Sequence, residues 1–163
     1  MPSTRSNHFQ FMNVTGGIHM TILNAVMSDF SYASHAHEEF AIGITLQGIQ
    51  EFSCNGSRFR SSPGDIILFN PGDVHNGNPG TGDALKYVML YIDTADLSPL
   101  LQGVSQSEKR ECRLPETHFD DPYLGSLILE MSRLAGARKQ SSFEHEHCVQ
   151  NVAERLAQRM GIF

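Results

Sequence analysis

The chain has 163 residues, 40% of them hydrophobic and 18% charged, the balance of one ordinary globular domain, or of a domain with a helical appendage, and not of a disordered chain. Acids outnumber bases by 18 to 12; residues 1–103 hold nine acids and four bases and residues 104–163 hold nine and eight, so neither part has the basic stripe with which a free-standing protein neutralises nucleic-acid phosphates. No apolar run approaches the roughly 20 residues that span a bilayer, Met1–Gln10 lacks the apolar centre of a signal peptide, and three scattered cysteines, Cys54, Cys112 and Cys148, form no C-x-x-C pair. These features lead us to expect a cytoplasmic protein without a disulfide scaffold, its cysteines serving as small apolar filler.

From Phe9 to Asp93 the texture is that of short strands. Periodicity and turn residues predict strands over Phe9–Val14, Ile18–Asp29, His37–Gln47, Ile49–Cys54, Ser57–Arg60, Asp65–Asn70 and Leu85–Asp93. Asn55-Gly56 is a hairpin signal between two of them. Pro63-Gly64-Asp65, Pro71-Gly72-Asp73 and Pro79-Gly80 recur at eight-residue spacing, which suits strands folded back and forth in a small barrel or sandwich. Gly77-Asn78-Pro79-Gly80-Thr81-Gly82 is glycine-rich, but it lacks the lysine and the helix of a phosphate loop, and it reads as a mobile loop.

The period then becomes helical. Leu124, Leu127, Ile128, Met131, Leu134 and Ala135 share one face, with Asp121-Pro122 as cap and first turn and Gly136 at the end. A second helix opens at Ser142 with acids in its first turn, buries a stripe of Val149, Val152, Ala153, Leu156, Ala157 and Met160, and carries Arg155 and Arg159 near its C-terminus. Glu144-His145-Glu146-His147 has the composition of a metal cluster, but neighbours on a helix diverge, and it reads as a solvated helix start.

His35 and His37 alternate at the start of a strand pattern and so can share a face, which Glu39, Ala41 and Gly43 would continue. Pro71-Gly72-Asp73-Val74-His75 brings a third imidazole at a turn. Converging in a barrel, three imidazoles suit zinc, iron, nickel or copper; left without metal, they hydrogen-bond loops or a ligand. Phe40, Ile42, Ile44 and Leu46 lie on the opposite face of the strand, and alternation leaves open which face is interior.

Ser34-His35-Ala36-His37-Glu38-Glu39-Phe40, Gly48 and Pro63-Gly64-Asp65 through Asp73-Val74-His75 resemble the two motifs of the cupin superfamily. The stretch His35–Asp93, its ending Leu85–Asp93, and Phe119-Asp120-Asp121-Pro122 before paired helices resemble the N-terminal effector-binding domain of AraC-type transcriptional regulators. The resemblance implies a mainly β, cupin-like double-stranded β-barrel, or jelly roll, over residues 1–103 with an N-terminal arm. Residues 104–163 would be a linker and a helical hairpin used for dimerisation.

It also implies a histidine face turned inward and a small-molecule effector bound by His35, His37, Glu39, His75 and Tyr91. The arm Met1–Asn7 would be mobile without ligand, and DNA would be contacted only through a helix-turn-helix domain beyond Phe163. Metal-binding cupins carry a glutamate four or five positions after the second histidine; here those positions are Ala41 and Ile42. We therefore expect no resident cofactor and no catalytic residue. The competing expectation is a metal-dependent cupin enzyme, a dioxygenase or isomerase, with His35, His37 and His75 as ligands. A homodimer is expected through Leu124, Leu127, Ile128, Met131 and Leu134, because an exposed row of this kind would be an unusually large apolar patch.

Overall fold

A computed structural model describes residues 7–14, 18–80, 83–105, 113–137 and 142–159. In chain order the strands are β1 (His8–Val14), β2 (Met20–Met27), β3 (Tyr32–His35), β4 (Phe40–Gln47), β5 (Gln50–Cys54), β6 (Ser57–Ser61), β7 (Asp65–Phe69), β8 (His75–Pro79) and β9 (Leu85–Ile92). Helix α1 (Thr94–Ser105), strand β10 (His118–Asp120), and helices α2 (Pro122–Gly136) and α3 (Ser142–Arg159) follow. Two antiparallel sheets result. One has the order β1-β2-β9-β4-β7-β10 and the other β3-β8-β5-β6, the layout of an open cupin-like barrel.

The Pro-Gly-Asp repeats make the corners of this barrel. Pro63 and Pro71 fix the second position of a turn, and Gly64 and Gly72 take φ of 93° and 84° at the third. The turns close through Asp65 N–H to Ser62 C=O at 3.0 Å and Asp73 N–H to Asn70 C=O at 3.1 Å, the type II arrangement that excludes most side chains at the third position. Asn55, with φ of 49°, and Gly56, with φ of 87°, form the predicted hairpin between β5 and β6.

Alternation along the central strands decides which face is interior. Ala41 of β4, Ile67 and Phe69 of β7, Tyr87 and Met89 of β9, and Leu23 of β2 meet Phe52 and Cys54 of the smaller sheet inside the barrel. Phe40, Ile42 and Ile44, with Ile66, Leu68, Val88, Leu90 and Ile92, form the back of the six-stranded sheet. That back face needs a cover, and the helices supply it. Asp121 caps α2 by accepting from Leu124 N–H at 3.0 Å, with Pro122 in the first turn. A methyl group on Gly125 would stand 2.9 Å from Ile44 Cδ1, so α2 lies close on β4.

The row Leu124, Leu127, Ile128, Met131 and Leu134, expected as a subunit seam, is buried within the protomer. It shares one core with Val149, Val152, Ala153 and Leu156 of α3 and with the back of the sheet. The expectation underestimated the apolar area of the sheet's second face, which absorbs both helical stripes.

Four elements were not read from the sequence: β3, β8, β10 and α1. Residues 77–79 of the supposed mobile loop pair in β8, while 81–82 lie outside the described residues. The boundary at 103 falls inside α1, whose Leu97 and Leu101 join the helical core. His145 is buried, although Glu144, Glu146 and His147 around it are exposed. Of the arm expected to be mobile, residues 1–6 lie outside the described residues. Asn7 is tied to the end of β2, donating to Asp29 Oδ1 at 2.7 Å and accepting from Ser28 N–H at 2.8 Å.

Candidate functional site

His35 ends β3 and His37 lies in the connection to β4, so the two do not alternate along one strand as the sequence suggested. They are two residues apart, on either side of Ala36, and the chain bends only after His37, at Glu38 and Glu39. Their Nε2 atoms lie 3.1 Å apart. His75 opens β8 and pairs directly with His35 across the ladder, placing its ring centroid 4.5 Å from that of His35 and 5.3 Å from that of His37. One ring nitrogen from each of the three imidazoles falls within 4.8 Å of the others.

Backbone carbonyls set the tautomers. His75 Nδ1 lies 2.9 Å from Asp73 C=O and His35 Nδ1 lies 2.7 Å from Ala33 C=O. A carbonyl can only accept, so both Nδ1 atoms carry hydrogen, and neutral His75 presents an Nε2 lone pair. Burial pushes the His75 pKa down to about 4, with His35 and His37 adding to the effect against the Asp73 hydrogen bond and charge. Burial and His35 also lower His37, while Glu39 works in the opposite direction. At neutral pH, His75 is therefore an uncharged acceptor.

Asp73 organises the turn that carries His75. Its Oδ1 accepts from Asn55 Nδ2 at 2.9 Å and Arg113 Nη2 at 2.7 Å, and its Oδ2 accepts from Asn70 N–H at 2.9 Å. Burial alone would raise this carboxyl, but the Asn55, Arg113 and Asn70 hydrogen bonds and the Arg113 charge outweigh it and hold the group below its ordinary range. Asn70 exchanges two bonds with the backbone of Leu114, at 2.7 and 2.9 Å, which ties the same turn to the segment leading into the helices.

The histidines line a cavity of about 300 Å³ inside the barrel mouth. His35, His37, Glu39, His75 and Tyr91, singled out from the sequence, all lie on its wall. Sequence reasoning missed Phe11, Thr21, Leu23, Tyr32, Gln50, Asn76, Tyr87 and Met89, most of which arrive by strand register rather than motif. The signal available for them was alternation, which puts Tyr87, Met89 and Tyr91 on one face of β9. Tyr87 donates to the hydroxyl of Tyr32 at 3.3 Å, and burial first of all raises the pKa of both Tyr87 and Tyr91, so both phenols are neutral. Burial likewise raises the thiols of Cys54 and Cys148 to about 11, in keeping with filler; Cys112 lies outside the described residues.

Three imidazoles at this spacing, two with Nδ1–H anchored to carbonyls, could act as nitrogen ligands to a transition metal. The carboxylate that would complete a four-ligand cupin centre is missing on β4, where Ala41 faces the cavity side. Among the described residues, His19, Asp93 and Asp96 form a second group of possible ligands, with the His19 side chain largely exposed.

Among curated proteins, residues of this chain are 32% identical over 61 positions to the uncharacterized HTH-type transcriptional regulator YbfI of Bacillus subtilis strain 168, a match covering 37% of this chain and 22% of that regulator. Among solved structures, a Cupin 2 conserved barrel domain protein from Salinispora arenicola is 21% identical with a TM-score of 0.48, over 56% of this chain and 79% of that one. A cupin superfamily protein from Desulfitobacterium hafniense is 14% identical with a TM-score of 0.47, over 56% and 83%. The profile of the AraC-like ligand binding domain matches residues 19–150, most of the chain, and the protein belongs to that family.

Proposed function

We propose that this chain is the small-molecule-sensing domain of an AraC-type transcriptional regulator, in which a ligand in the barrel controls an attached DNA-binding domain. The observation that carries the reading is the cavity itself. Three imidazoles, Glu39 and Tyr91 converge on one cavity at the barrel mouth in a chain of this family, and that cavity lies next to a turn bonded to the segment entering the helices. The regulator YbfI supports the attached domain by its name, and the chain spans about a fifth of that protein's length. No helix among the described residues is long and apolar enough to cross a membrane.

A thermal-shift screen of small metabolites tests the reading. An effector at a hundredfold excess over its Kd raises stability by about 2.7 kcal/mol, and His75→Ala and Tyr91→Phe should blunt the response. Ligands that stabilise the native protein and these variants equally would place the site elsewhere.

The histidine geometry favours one second reading, a transition metal held by His35, His37 and His75. Metal analysis of untagged protein and of His75→Ala separates the two, since stoichiometric metal lost in the variant would support the second. We further propose that the domain self-associates through the outer faces of α2 and α3, where Tyr123, Leu129 and Phe143 are exposed. Sedimentation of Leu129→Glu with Phe143→Ser checks it, and a dimer unaffected by both changes would rule these faces out.

A further inference from the structure

Among the described residues, the barrel segment holds three fixed cations, Arg58, Arg60 and Lys86, and all three are exposed, while Arg5 lies outside the described residues. Arg58 and Arg60 line a separate depression on the smaller sheet, beside Ser53 and Asn78. Among the described residues, no lysine or arginine lines the histidine cavity or the depression that adjoins it and shares Thr21, Glu39 and Tyr91 with it. Those two spaces instead carry the carboxylates of Glu39 and Asp93. Glu39 forms no ion pair among the described residues.

The neutral groups point the same way. His75 offers a lone pair at Nε2 because its Nδ1–H is committed to Asp73 C=O. Gln50, only 5% exposed, lines the cavity, and its buried amide oxygen has no hydrogen-bond partner among the described residues. The ring of Tyr91 lies 5.2 Å from that of His37, and Phe11 and Tyr32 add further aromatic surface. An anion entering here would be desolvated with no lysine or arginine among the described residues to meet it. A group bearing N–H donors and positive charge would find a carboxylate, free acceptors and aromatic faces together.

We propose that the effector held in this cavity is a small organic cation, an amine in its ammonium form. This rests on the sensor reading above and adds the chemical class. The test uses two charge series on fixed skeletons, phenethylammonium, 2-phenylethanol and phenylacetate, and butylammonium, butanol and butyrate. Each is titrated against the protein at pH 7.5 while the imidazole resonances of the histidines are followed by NMR.

The ammonium members should bind and shift those resonances, and the alcohols and carboxylates should bind more weakly or not at all. Glu39 is exposed, and Glu39→Gln should weaken ammonium binding about two- to fivefold, the size expected of an exposed ion pair. Glu38→Gln, a neighbouring change at a residue that does not line the cavity, should leave it unaltered. Alcohols or carboxylates binding as tightly as their ammonium partners would overturn the cation class and leave the sensor reading standing, as would ammonium binding indifferent to Glu39→Gln. Absence of binding by all six probes would also overturn it, while the metabolite screen with His75→Ala decides the sensor reading separately.

Discussion

The imidazole of His75 lies flat against the phenyl ring of Phe69, with 3.8 Å between centroids and 10° between planes. The stack closes one face of the imidazole to water, and Asp73 C=O takes its Nδ1–H. What remains for the cavity is the Nε2 edge. The same desolvation that sharpens this edge as an acceptor makes protonation costly, which links the site to the stability of the barrel.

Stability should therefore fall with acid in a defined window. The His75 pKa is about 4 in the native state against an ordinary value of 6.5. Between these values the unfolded chain binds more protons than the native one, so stability is unaffected by this group above pH 6.5 and declines as pH falls towards about 4. The full gap is worth about 3 kcal/mol. Urea titrations of the native protein and of His75→Gln across this range should show the variant losing less stability. Equal slopes would contradict the linkage.

The turn beneath His75 predicts an unequal pair of variants. Asp73 is buried and accepts from four donor groups on three residues, whereas the side chain of its partner Arg113 is 60% exposed. Asp73→Ala strands the Asn70 N–H and the Asn55 amide and should cost about 3 kcal/mol. Arg113→Ala leaves the carboxylate its Asn55 and Asn70 donors and a solvated flank and should cost about 1 kcal/mol or less. Chemical denaturation reads both, and an Arg113 variant as unstable as the Asp73 one would show that the linker clamp matters more than the turn.

Much of this site could be read in the sequence because its chemistry is local. Pro71-Gly72-Asp73 specified a type II turn, and His75 lies two residues beyond it. Asn55-Gly56 specified a hairpin, and Asp121-Pro122 specified a helix start, each from the backbone preferences of one or two residues. What could not be read depended on distant partners. Strands β3 and β8 have little apolar alternation and exist because they pair with each other and β8 pairs with β5. Strand β10 is three residues laid on β7. Helix α1 contains Pro99 and Gly103, both poor helix residues, and its Leu97 and Leu101 are held by the tertiary core. His35 and His37 meet as their i, i+2 spacing suggested, although β3 ends at His35 and His37 lies just beyond it.

The small residues of β4 face a tight interior. A Cβ on Gly43 would stand 2.6 Å from the carbonyl oxygen of Val88 and 2.7 Å from Met89 Sδ. The thioether can swing aside, but the carbonyl belongs to the β9 ladder that pairs with β4. Gly43→Ala should therefore destabilise by about 1–3 kcal/mol through overpacking, with the shift in Tm as the measurement. An unchanged Tm would mean that the two strands can separate at this point without loss.

The last prediction concerns the α2 stripe. Leu127 and Met131 are buried against α3 and the back of the sheet. Replacing both by Glu would place two carboxylates in an apolar core with no cation inside it. The cost of several kcal/mol for each unpaired buried charge exceeds what a domain of ordinary stability can absorb. Circular dichroism should therefore show an unfolded or molten chain, not a folded monomer released from a dimer. A milder pair separates the cases further. Leu127→Ala and Met131→Ala should each cost about 2–5 kcal/mol, and the loss should not depend on protein concentration if the contacts lie within one chain. A destabilisation that grows on dilution would return these residues to a subunit interface, because an association equilibrium depends on protein concentration and unfolding of a single chain does not.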